Sequence, residues 1–458
     1  MIHKFYLNGF YIVLDVNSGA VHVVDQLSYE LLDGLEAPLP ANCPQKIAER
    51  LQGTYSDAEI QEAYAELYSL YQNGFLFSSD DYEPFAAQMG PAPVKSMCLN
   101  IAHDCNLRCS YCFAAQGDFG HGRKLMPFEV GKAAIDFLIE HSANRHNLEL
   151  DFFGGEPLMN FEVVKQVVAY ARSIEKEHHK NFRFTITTNG LLLTDDKIDY
   201  INREMSNVVL SIDGRKEIND SLRFRVDGSG SYGAIVPKYQ RLVEKRRNGK
   251  FDQYYVRGTF TKKNLDFTKD VIHMRELGFD QISIEPVVAD PELLPIALTE
   301  EDLPRIYEEY ENLAREIIQR KKGRRVQLFH FMLDLDQGPC AIKRLRGCSC
   351  GNEYVAVTPE GDIYPCHQFV GMDEWKMGSV LDGSLDQKKK LLFSKTNVYE
   401  KSECRTCWAK FYCSGGCNAN NLQYAGDILK PHKLSCALEQ KRLECAIMIK
   451  AALAQPEE

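Results

Sequence analysis

The sequence predicts an α/β protein whose centre is a partial, TIM-like (β/α)6 barrel. From about residue 95, six apolar strand-like runs are each followed by a helical stretch. Successive units of this kind form a parallel sheet that curls into a full or partial barrel. Unusual residues follow the ends of the runs, at the edge where such barrels carry their sites. The predicted helices are 127–142, 161–178, 194–204, 232–247, 264–277 and 300–321.

Composition excludes several classes of protein. The 458 residues are 44% hydrophobic and 26% charged, an ordinary globular mixture rather than a disordered one. No apolar run reaches the roughly 20 residues that span a bilayer. The N-terminus lacks a signal-peptide pattern. We therefore expect a soluble cytoplasmic protein without a membrane partner.

The N-terminal part, residues 1–88, reads as short strands followed by helices, in the order and size of a winged-helix fold. Asn17-Ser18-Gly19 predicts a hairpin, and Ser56 and Asp57 are candidate caps of the last helix. Residues 1–90 carry a net charge of −10, whereas the remainder is neutral. Such an acidic unit argues against nucleic-acid binding. The Pro/Gly-rich stretch 78–94 is a predicted linker to the barrel at 95–322.

The C-terminal part, residues 323–458, is rich in cysteine and turn-forming residues, with a candidate hairpin at EYVAVTPEGDIYPC. It offers little apolar core of its own. Segments of this kind need bound metal to stabilise their fold.

Fifteen cysteines in a reducing compartment point to metal or redox-cofactor ligation rather than to disulfides. Cys43, Cys98 and Cys445 are isolated and are expected to be small buried hydrophobic residues. The others fall into three groups: Cys105, Cys109 and Cys112; Cys340, Cys348, Cys350 and Cys366; and Cys404, Cys407, Cys413, Cys417 and Cys436.

The first group places three thiolates on one short loop with the spacing C-x3-C-x2-C. Zinc is the simplest alternative, but structural zinc takes four ligands in paired C-x2-C knuckles, and no fourth candidate lies in the loop. Three ligands on a cubane would leave one iron free for a cofactor. With Tyr111 before the last cysteine, the loop resembles that of the radical S-adenosylmethionine (SAM) superfamily.

This resemblance extends to the ends of the later strands and implies a SAM site. Gly154-Gly155-Glu156-Pro157 is similar to the GGEP motif that contacts the SAM amino group. Asn189 and the pair Ser211 and Asp213 occupy the positions that bind ribose and adjacent groups. Arg257 resembles the basic residue that meets the SAM carboxylate. No catalytic residue is implied beyond the cluster and SAM.

The C-terminal cysteines resemble the SPASM extension of that superfamily, which implies two auxiliary [4Fe–4S] clusters and three clusters in all. One would be held by Cys404, Cys407, Cys413 and Cys436. The other would be held by Cys350, Cys366 and Cys417. Its fourth ligand stays open: Cys340, Cys348, or a substrate thiolate at an unfilled position.

The whole chain is most similar to the sactipeptide maturases, and within them to the SCIFF (six-cysteines-in-forty-five-residues) peptide maturases. The resemblance implies that residues 1–88 bind the leader of a precursor peptide as an added strand. It further implies reductive SAM cleavage to a 5′-deoxyadenosyl radical, hydrogen abstraction from the peptide α-carbon, and a bond from carbon to a cysteine sulfur. The electron donor would be a flavodoxin or ferredoxin.

Two alternatives remain. An anaerobic sulfatase maturase, which makes formylglycine, carries an acidic residue after the cysteine of its GDxxPC motif, where this chain has His367. A non-catalytic, metal-stapled peptide-binding or electron-transfer protein would need neither the GGEP motif nor the three-cysteine loop.

Overall fold

The computed structural model describes residues 1–320, 326–335 and 341–454. Its N-terminal part is an antiparallel sheet in the order β1-β2-β3, covered by three helices. The strands are β1 (Ile2–Leu7), β2 (Phe10–Asp15) and β3 (Val21–Val24), and the helices are α1 (Gln26–Leu31), α2 (Gln45–Leu51) and α3 (Asp57–Gln72).

Local turn and cap signals explain these boundaries. The predicted hairpin around Asn17–Gly19 joins β2 to β3. An additional turn at Asn8-Gly9, with φ of 52° and 88°, separates β1 from β2. Two residues with positive φ are what a tight hairpin turn requires. Ser56 caps α3 in a reciprocal capping box with Glu59.

The predicted linker is structured and attached to the C-terminal part. It contains α4 (Tyr82–Ala87). Just before this helix, Asp80 accepts a hydrogen bond from Lys410 at 2.7 Å and another from Tyr399 at 2.5 Å. The Tyr82 ring packs against Phe411 with centroids 5.0 Å apart. Because these partners are more than 300 residues away, no local sequence pattern could reveal them.

The barrel consists of six parallel strands in the chain order that the sequence predicts. Their helices lie outside, and the apolar side chains between sheet and helices form the main core. The first half contains β4 (Ser96–His103), β5 (Leu107–Cys109), β6 (Lys124–Leu125), α5 (Phe128–His141), β7 (Asn147–Gly154), α6 (Phe161–Ile174), β8 (Asn181–Thr188) and α7 (Asp195–Glu204). The second half contains β9 (Met205–Ser211), α8 (Lys216–Leu222), β10 (Arg223–Arg225), α9 (Tyr232–Arg247), β11 (Tyr255–Phe260), α10 (Phe267–Glu276), β12 (Gln281–Pro286), α11 (Leu303–Gln319) and β13 (Gln327–Leu328).

The C-terminal part continues the same sheet. Its predicted hairpin pairs β14 with β15, and β14 also pairs in parallel with β4, Tyr354 opposite Ser96. The barrel is therefore extended beyond its first strand instead of being closed there. The elements of this part are α12 (Ala341–Arg346), β14 (Tyr354–Val357), β15 (Asp362–Tyr364), β16 (Gly378–Ser379), β17 (Ser384–Leu385), α13 (Gln387–Ser394), α14 (Ser402–Arg405), α15 (Lys410–Cys413), α16 (Asn418–Ala425) and α17 (Lys433–Ala454).

The last helix corrects the expectation that this part has little apolar core. The 22 residues of α17 pack against α11, and Leu438, Ile447 and Met448 are buried in the main core. The C-terminal part thus shares the core of the barrel. In the described ranges, no helix combines the length and apolar character needed to cross a membrane.

The N-terminal sheet is fastened to this C-terminal part through β1. The His3 ring stacks on Trp408 with centroids 3.7 Å apart and planes 1° apart, and His3 Nε2 lies 3.1 Å from Glu444 Oε1. This contact fixes β1 against the C-terminal part, and β3 forms the opposite edge of the sheet.

We predict that Trp408→Ala loosens β1. Aromatic pairs contribute about 0.5–1.5 kcal/mol beyond area burial, so amide exchange in residues 2–7 should rise by up to roughly tenfold. The control is Trp375→Ala, the other tryptophan, which packs on Phe369 and Phe393. Hydrogen–deuterium exchange of residues 2–7 in both variants tests this prediction. Equal exchange of β1 in the two variants would contradict the role of the stack.

Candidate functional site

A cavity of about 630 Å³ opens at the C-terminal ends of the barrel strands, and the C-terminal part covers it. Cysteines from both halves of the chain line this cavity. They are Cys105, Cys109 and Cys112 from the loop after β4, and Cys413, Cys417 and Cys436 from the C-terminal part. The barrel and the C-terminal part therefore face each other across one space.

The first cysteine loop is held by short backbone pairings. Cys109 lies in β5, opposite Arg223 of β10. The Leu107 N–H donates to Cys105 Sγ at 3.4 Å, and Asn189 Nδ2 lies 3.6 Å from the same sulfur. Burial raises the pKa of Cys105 to about 12 and that of Cys109 to about 11, with Arg223 opposing the shift at Cys109. A cationic group such as iron would deprotonate these thiols on binding.

The first cysteine loop offers three thiols to a cofactor at the cavity. Within the described residues, no three His, Cys, Asp or Glu side chains form a group that could hold one metal ion. A cubane would be held differently, since each of its cysteine ligands binds a different iron atom.

Gly154 and Gly155 let the end of β7 approach the cysteine loop. A Cβ on Gly154, whose φ is +119°, would lie 2.4 Å from the Ala102 oxygen, and one on Gly155 would lie 2.2 Å from the Asp104 oxygen. The Gly155 N–H donates to Ala102 O at 2.8 Å. Both neighbours are backbone atoms that no rotamer change can move, so only glycine fits at these two positions.

Glu156 lies behind the cavity wall. Its buried carboxylate accepts hydrogen bonds from Thr188 Oγ1 and the Asn189 N–H, both at 2.7 Å, and from the Leu158 N–H at 3.0 Å. Burial raises its pKa, while these donors act in the opposite direction. The direct effect of Glu156 is to fix the backbone at the end of β8, where Asn189 lines the cavity.

Asp213 is also buried behind the wall, in a network with Tyr111 and Arg223. It accepts from Tyr111 OH at 2.8 Å and from the Thr259 N–H at 3.0 Å, and Arg223 donates to Tyr111 OH at 2.8 Å. Burial raises the pKa of Asp213 to about 6, and Arg223 opposes the shift. Of the candidate SAM contacts, Gly154, Gly155, Asn189, Ser211 and Arg257 line the cavity, whereas Glu156 and Asp213 do not.

Glu285 also lines the cavity and has three cationic or basic neighbours. Its carboxylate lies 2.8 Å from His330, 3.6 Å from Arg257 and 3.7 Å from Arg442. Burial alone would raise the pKa of Glu285, but these three groups together hold it well below its ordinary value. A charged carboxylate between cations creates a polar wall suited to a substrate or cofactor that carries both charges.

His367, which directly follows Cys366, also lines the cavity. Its ring packs beside Phe153 and Phe113, with centroids 4.9 and 5.6 Å away, and Nδ1 lies 3.4 Å from Tyr354 OH. Burial lowers the pKa of His367 to about 4, and the charge of Arg257 acts in the same direction. The imidazole is therefore neutral at neutral pH.

The cysteines of the first C-terminal set, Cys404, Cys407, Cys413 and Cys436, affect one another's pKa values. Burial, followed by Cys436 and Cys407, raises the pKa of Cys404 to about 11 against the opposing charge of Lys401. Burial and then Cys407 raise the pKa of Cys436 to about 11. Burial, and after it Glu439, Cys436 and Cys404, raise the pKa of Cys413.

The second set, Cys350, Cys366 and Cys417, includes Cys348 as a close neighbour. Cys348 lowers the pKa of Cys350, whereas Cys366, burial and Cys417 raise it well above its ordinary value. Of the two candidate fourth ligands in the chain, Cys348 thus lies beside the set, and Cys340 lies outside the described residues.

Sequence reasoning missed Arg223, His330 and Arg442. Arg223 lies in the three-residue strand β10 and His330 in a single 3-10 turn, and both segments are too short to give a periodic signal. Arg442 lies in the polar stretch EQKRLE of the final helix, where Glu439 three residues earlier makes it look like an ordinary surface ion pair.

Comparison with known proteins identifies two domains. Residues 99–272 match the model of the radical SAM superfamily, and residues 348–408 match SPASM, an iron–sulfur cluster-binding domain. The chain thus carries radical SAM and SPASM domains, which imply [4Fe–4S] clusters and SAM as cofactors.

Two curated relatives cover most of the chain at low identity. The cysteine-type anaerobic sulfatase-maturating enzyme of Clostridium novyi is 25% identical over 71% of this chain and 89% of its own length. The radical SAM cyclopropyl synthase TigE of Paramaledivibacter caminithermalis is 24% identical over 75% of this chain and 72% of its own. The two names describe different reactions.

Solved structures share the fold. Native anSMEcpe with bound AdoMet and the Kp18Cys peptide has a TM-score of 0.65 at 19% identity, covering 79% of this chain and all of its own. Streptococcus suis SuiB bound to precursor peptide SuiA has a TM-score of 0.52 at 15% identity, covering 92% of this chain and 95% of its own. Both of these neighbours bind peptides.

We predict that Gly155→Ala prevents assembly of the first site, because its Cβ would collide with the Asp104 carbonyl. Reconstituted iron should fall by about four atoms per chain, the content of one cubane, and SAM binding should be lost. The control is Gly233→Ala, in the first turn of α9, where nothing lies within 4 Å of the added Cβ. Iron analysis and calorimetric SAM titration test both variants. Normal SAM affinity in the Gly155 variant would contradict the prediction.

Proposed function

We propose that this protein is a radical SAM peptide maturase that forms intramolecular thioether crosslinks in a cysteine-rich, ribosomally made precursor peptide. The observation that carries the proposal is the shared cavity, with the first cysteine loop on one side and three C-terminal cysteines on the other. A peptide in this cavity could present a carbon to the SAM site and a thiol to the auxiliary site at once.

In this proposal the barrel holds the cluster and SAM. Cys105, Cys109 and Cys112 would bind one cubane and leave one iron for SAM; together these cofactors supply, when bound, the radical that takes a hydrogen atom from the peptide. Asn189, Ser211 and the Gly154-Gly155 backbone would contact SAM, and Arg257 would pair with its carboxylate. Glu156 and Asp213 would act indirectly, by fixing the backbone of Asn189 and Thr259.

Electron counting explains the need for the C-terminal cysteines. A new carbon–sulfur bond removes one hydrogen atom from carbon, and one proton and one electron from the thiol. The electron needs an acceptor other than the peptide. Two auxiliary clusters would provide it, one on the set that begins with Cys404 and one on Cys350, Cys366 and Cys417.

The fourth position of the second auxiliary cluster has two candidate occupants. Cys348 lies beside Cys350 and could fill it from within the chain. A substrate thiolate could fill it instead, through the cavity that Cys417 lines. The two occupants could also alternate, because one thiolate can be exchanged for another at the same position.

Residues 1–88 would recognise the leader of the precursor peptide as a winged-helix-like element. β1 is fastened to Trp408, so β3 is the strand whose outer edge is left for an added peptide strand. Val23 on β3 is about half exposed. The net charge of −10 in this part favours a basic leader. The match to SuiB covers 92% of this chain, so it includes at least some of the N-terminal part.

Sulfatase maturation is the second candidate, because several curated relatives carry that name. Two features favour thioether formation instead. His367 occupies the position of the expected acid, and its neutral, half-buried ring is a weak base. In addition, the acidic N-terminal part would offer the outer edge of β3 to a leader.

We predict that His367 carries no charge change between about pH 5.5 and 8. Burial lowers its pKa to about 4, so the ring loses its proton below this range and is neutral throughout it. The pH profile of 5′-deoxyadenosine formation should therefore keep its shape in His367→Asn, whatever the absolute rate. A shift of the acidic limb by more than about half a pH unit would show that His367 titrates during turnover.

The main experiment is anaerobic. The protein is reconstituted with iron and sulfide and given dithionite, SAM and a cysteine-rich precursor peptide, with about twelve irons per chain expected for three cubanes. We expect 5′-deoxyadenosine, and a peptide that has lost two hydrogens per new bond, with bridges located by tandem mass spectrometry. Cys112→Ala should abolish both products, whereas Cys43→Ala, in the buried core of the N-terminal part, should keep them.

The other outcomes separate the alternatives. A carbonyl oxygen in place of a cysteine sulfur would indicate formylglycine formation. SAM cleavage without any change of the peptide would remove the thioether assignment and retain the radical SAM chemistry. Zinc in place of iron, without SAM cleavage, would refute the proposal as a whole.

A further inference from the structure

Lys401 is a buried cation that the proposed reaction does not use. It immediately precedes α14 and is 1% exposed. Its Nζ donates to Gly415 O at 2.7 Å and to Asn418 Oδ1 at 2.8 Å, both neutral acceptors. In the described part of the chain, its ammonium makes no ion pair with a carboxylate. A buried charge without a counter-charge is strongly unfavourable, so a missing anion is indicated.

Lys410 shows how this same segment treats a buried lysine elsewhere. It is 3% exposed, close to the burial of Lys401, and its Nζ pairs with Asp80 at 2.7 Å. The fold thus supplies a carboxylate to one buried ammonium and only neutral oxygens to the other. The difference between the two lysines lies in what surrounds them.

The surroundings of Lys401 are the cysteines of both auxiliary sets. Burial lowers the pKa of Lys401. The thiolate forms of Cys404, Cys350, Cys413 and Cys417, two from each proposed ligand set, act in the opposite direction. A neutral thiol carries no such charge, whereas a thiolate bound to iron does.

The loop between Cys413 and Cys417 wraps around the ammonium. Ser414, Gly415 and Gly416 all have positive φ, and a Cβ on Gly415 would lie 3.1 Å from Lys401 Nζ. This loop joins a ligand of one proposed cluster to a ligand of the other.

Asn418 extends the contact to the second set. While its Oδ1 accepts from Lys401, its Nδ2 donates to Cys350 Sγ at 3.5 Å. The ammonium is therefore connected through one amide to a proposed cluster ligand.

We propose that Lys401 is the counter-charge shared by the two auxiliary iron–sulfur clusters, and that it makes both easier to reduce. This inference rests on the proposed ligand sets. A cluster with four thiolates is an anion, and reduction by one electron adds a further negative charge. A fixed positive charge nearby stabilises the reduced form more than the oxidised one. Lys401 would thereby favour uptake of the electron that carbon–sulfur bond formation releases.

Three variants separate this role from a purely structural one. Lys401→Met removes the charge and keeps the length, Lys401→Arg keeps the charge, and Lys410→Met removes a buried charge that faces Asp80. Each full-length protein is reconstituted, its iron is counted, and its auxiliary clusters are titrated potentiometrically with detection by electron paramagnetic resonance. The readout is the midpoint potential, which a loop clamp alone would not move.

We expect Lys401→Met to shift the midpoint potentials of both auxiliary clusters to more negative values, with Lys401→Arg and Lys410→Met close to wild type. Loss of auxiliary iron in Lys401→Met would indicate a structural clamp and overturn the electrostatic role, because this change removes the hydrogen-bond donors to Gly415 and Asn418 along with the charge. Unchanged potentials in Lys401→Met, an equal shift in Lys410→Met, or loss of iron from both Lys401 variants would overturn it. Absence of auxiliary iron from the wild type would instead refute the proposed ligand sets.

Discussion

The parallel pairing of β14 with β4 is the contact on which the site depends. β4 leads directly into the loop of Cys105, while Cys350 precedes β14 and Cys366 follows β15. Backbone hydrogen bonds between adjacent strands fix their separation to within a fraction of an ångström. One pairing therefore sets the distance between the first cysteine loop and part of the C-terminal cysteines, and the cavity is the space that this distance leaves.

Buried acids then make the wall of the cavity rigid. Glu156 and Asp213 each accept several hydrogen bonds, and their donors include the backbone at Asn189 and Thr259. Neither acid lines the cavity. Because the groups that donate to them are buried, removing either acid would leave those donors without a hydrogen-bond partner. A radical reaction benefits from such rigidity, because a reactive intermediate must meet one hydrogen and exclude water. Some motif residues that look like direct ligands in the sequence, such as Glu156 and Asp213, therefore act by positioning the residues that line the cavity.

The sequence predicted what local patterns can specify and missed what depends on distant contacts. The six strands, their helices and the order of the cysteines were predictable, because apolar periodicity and ligand spacing are local signals. The attachment of Asp80 to Lys410, the stack of His3 on Trp408 and the core packing of α17 join residues hundreds of positions apart. The Asn8-Gly9 turn is also a local signal, in addition to the hairpin predicted at Asn17–Gly19.

The reaction cannot follow from the fold, because relatives with the same domains are named for different products. A radical takes the hydrogen that is held nearest to it, so the product depends on how the peptide lies between the two cysteine walls. In this chain one end of the peptide would be fixed at β3 of the acidic N-terminal part, and the other would reach the cavity that Cys417 and the neutral ring of His367 line. Specificity would then arise from two contacts far apart on the peptide, with the barrel chemistry between them unchanged.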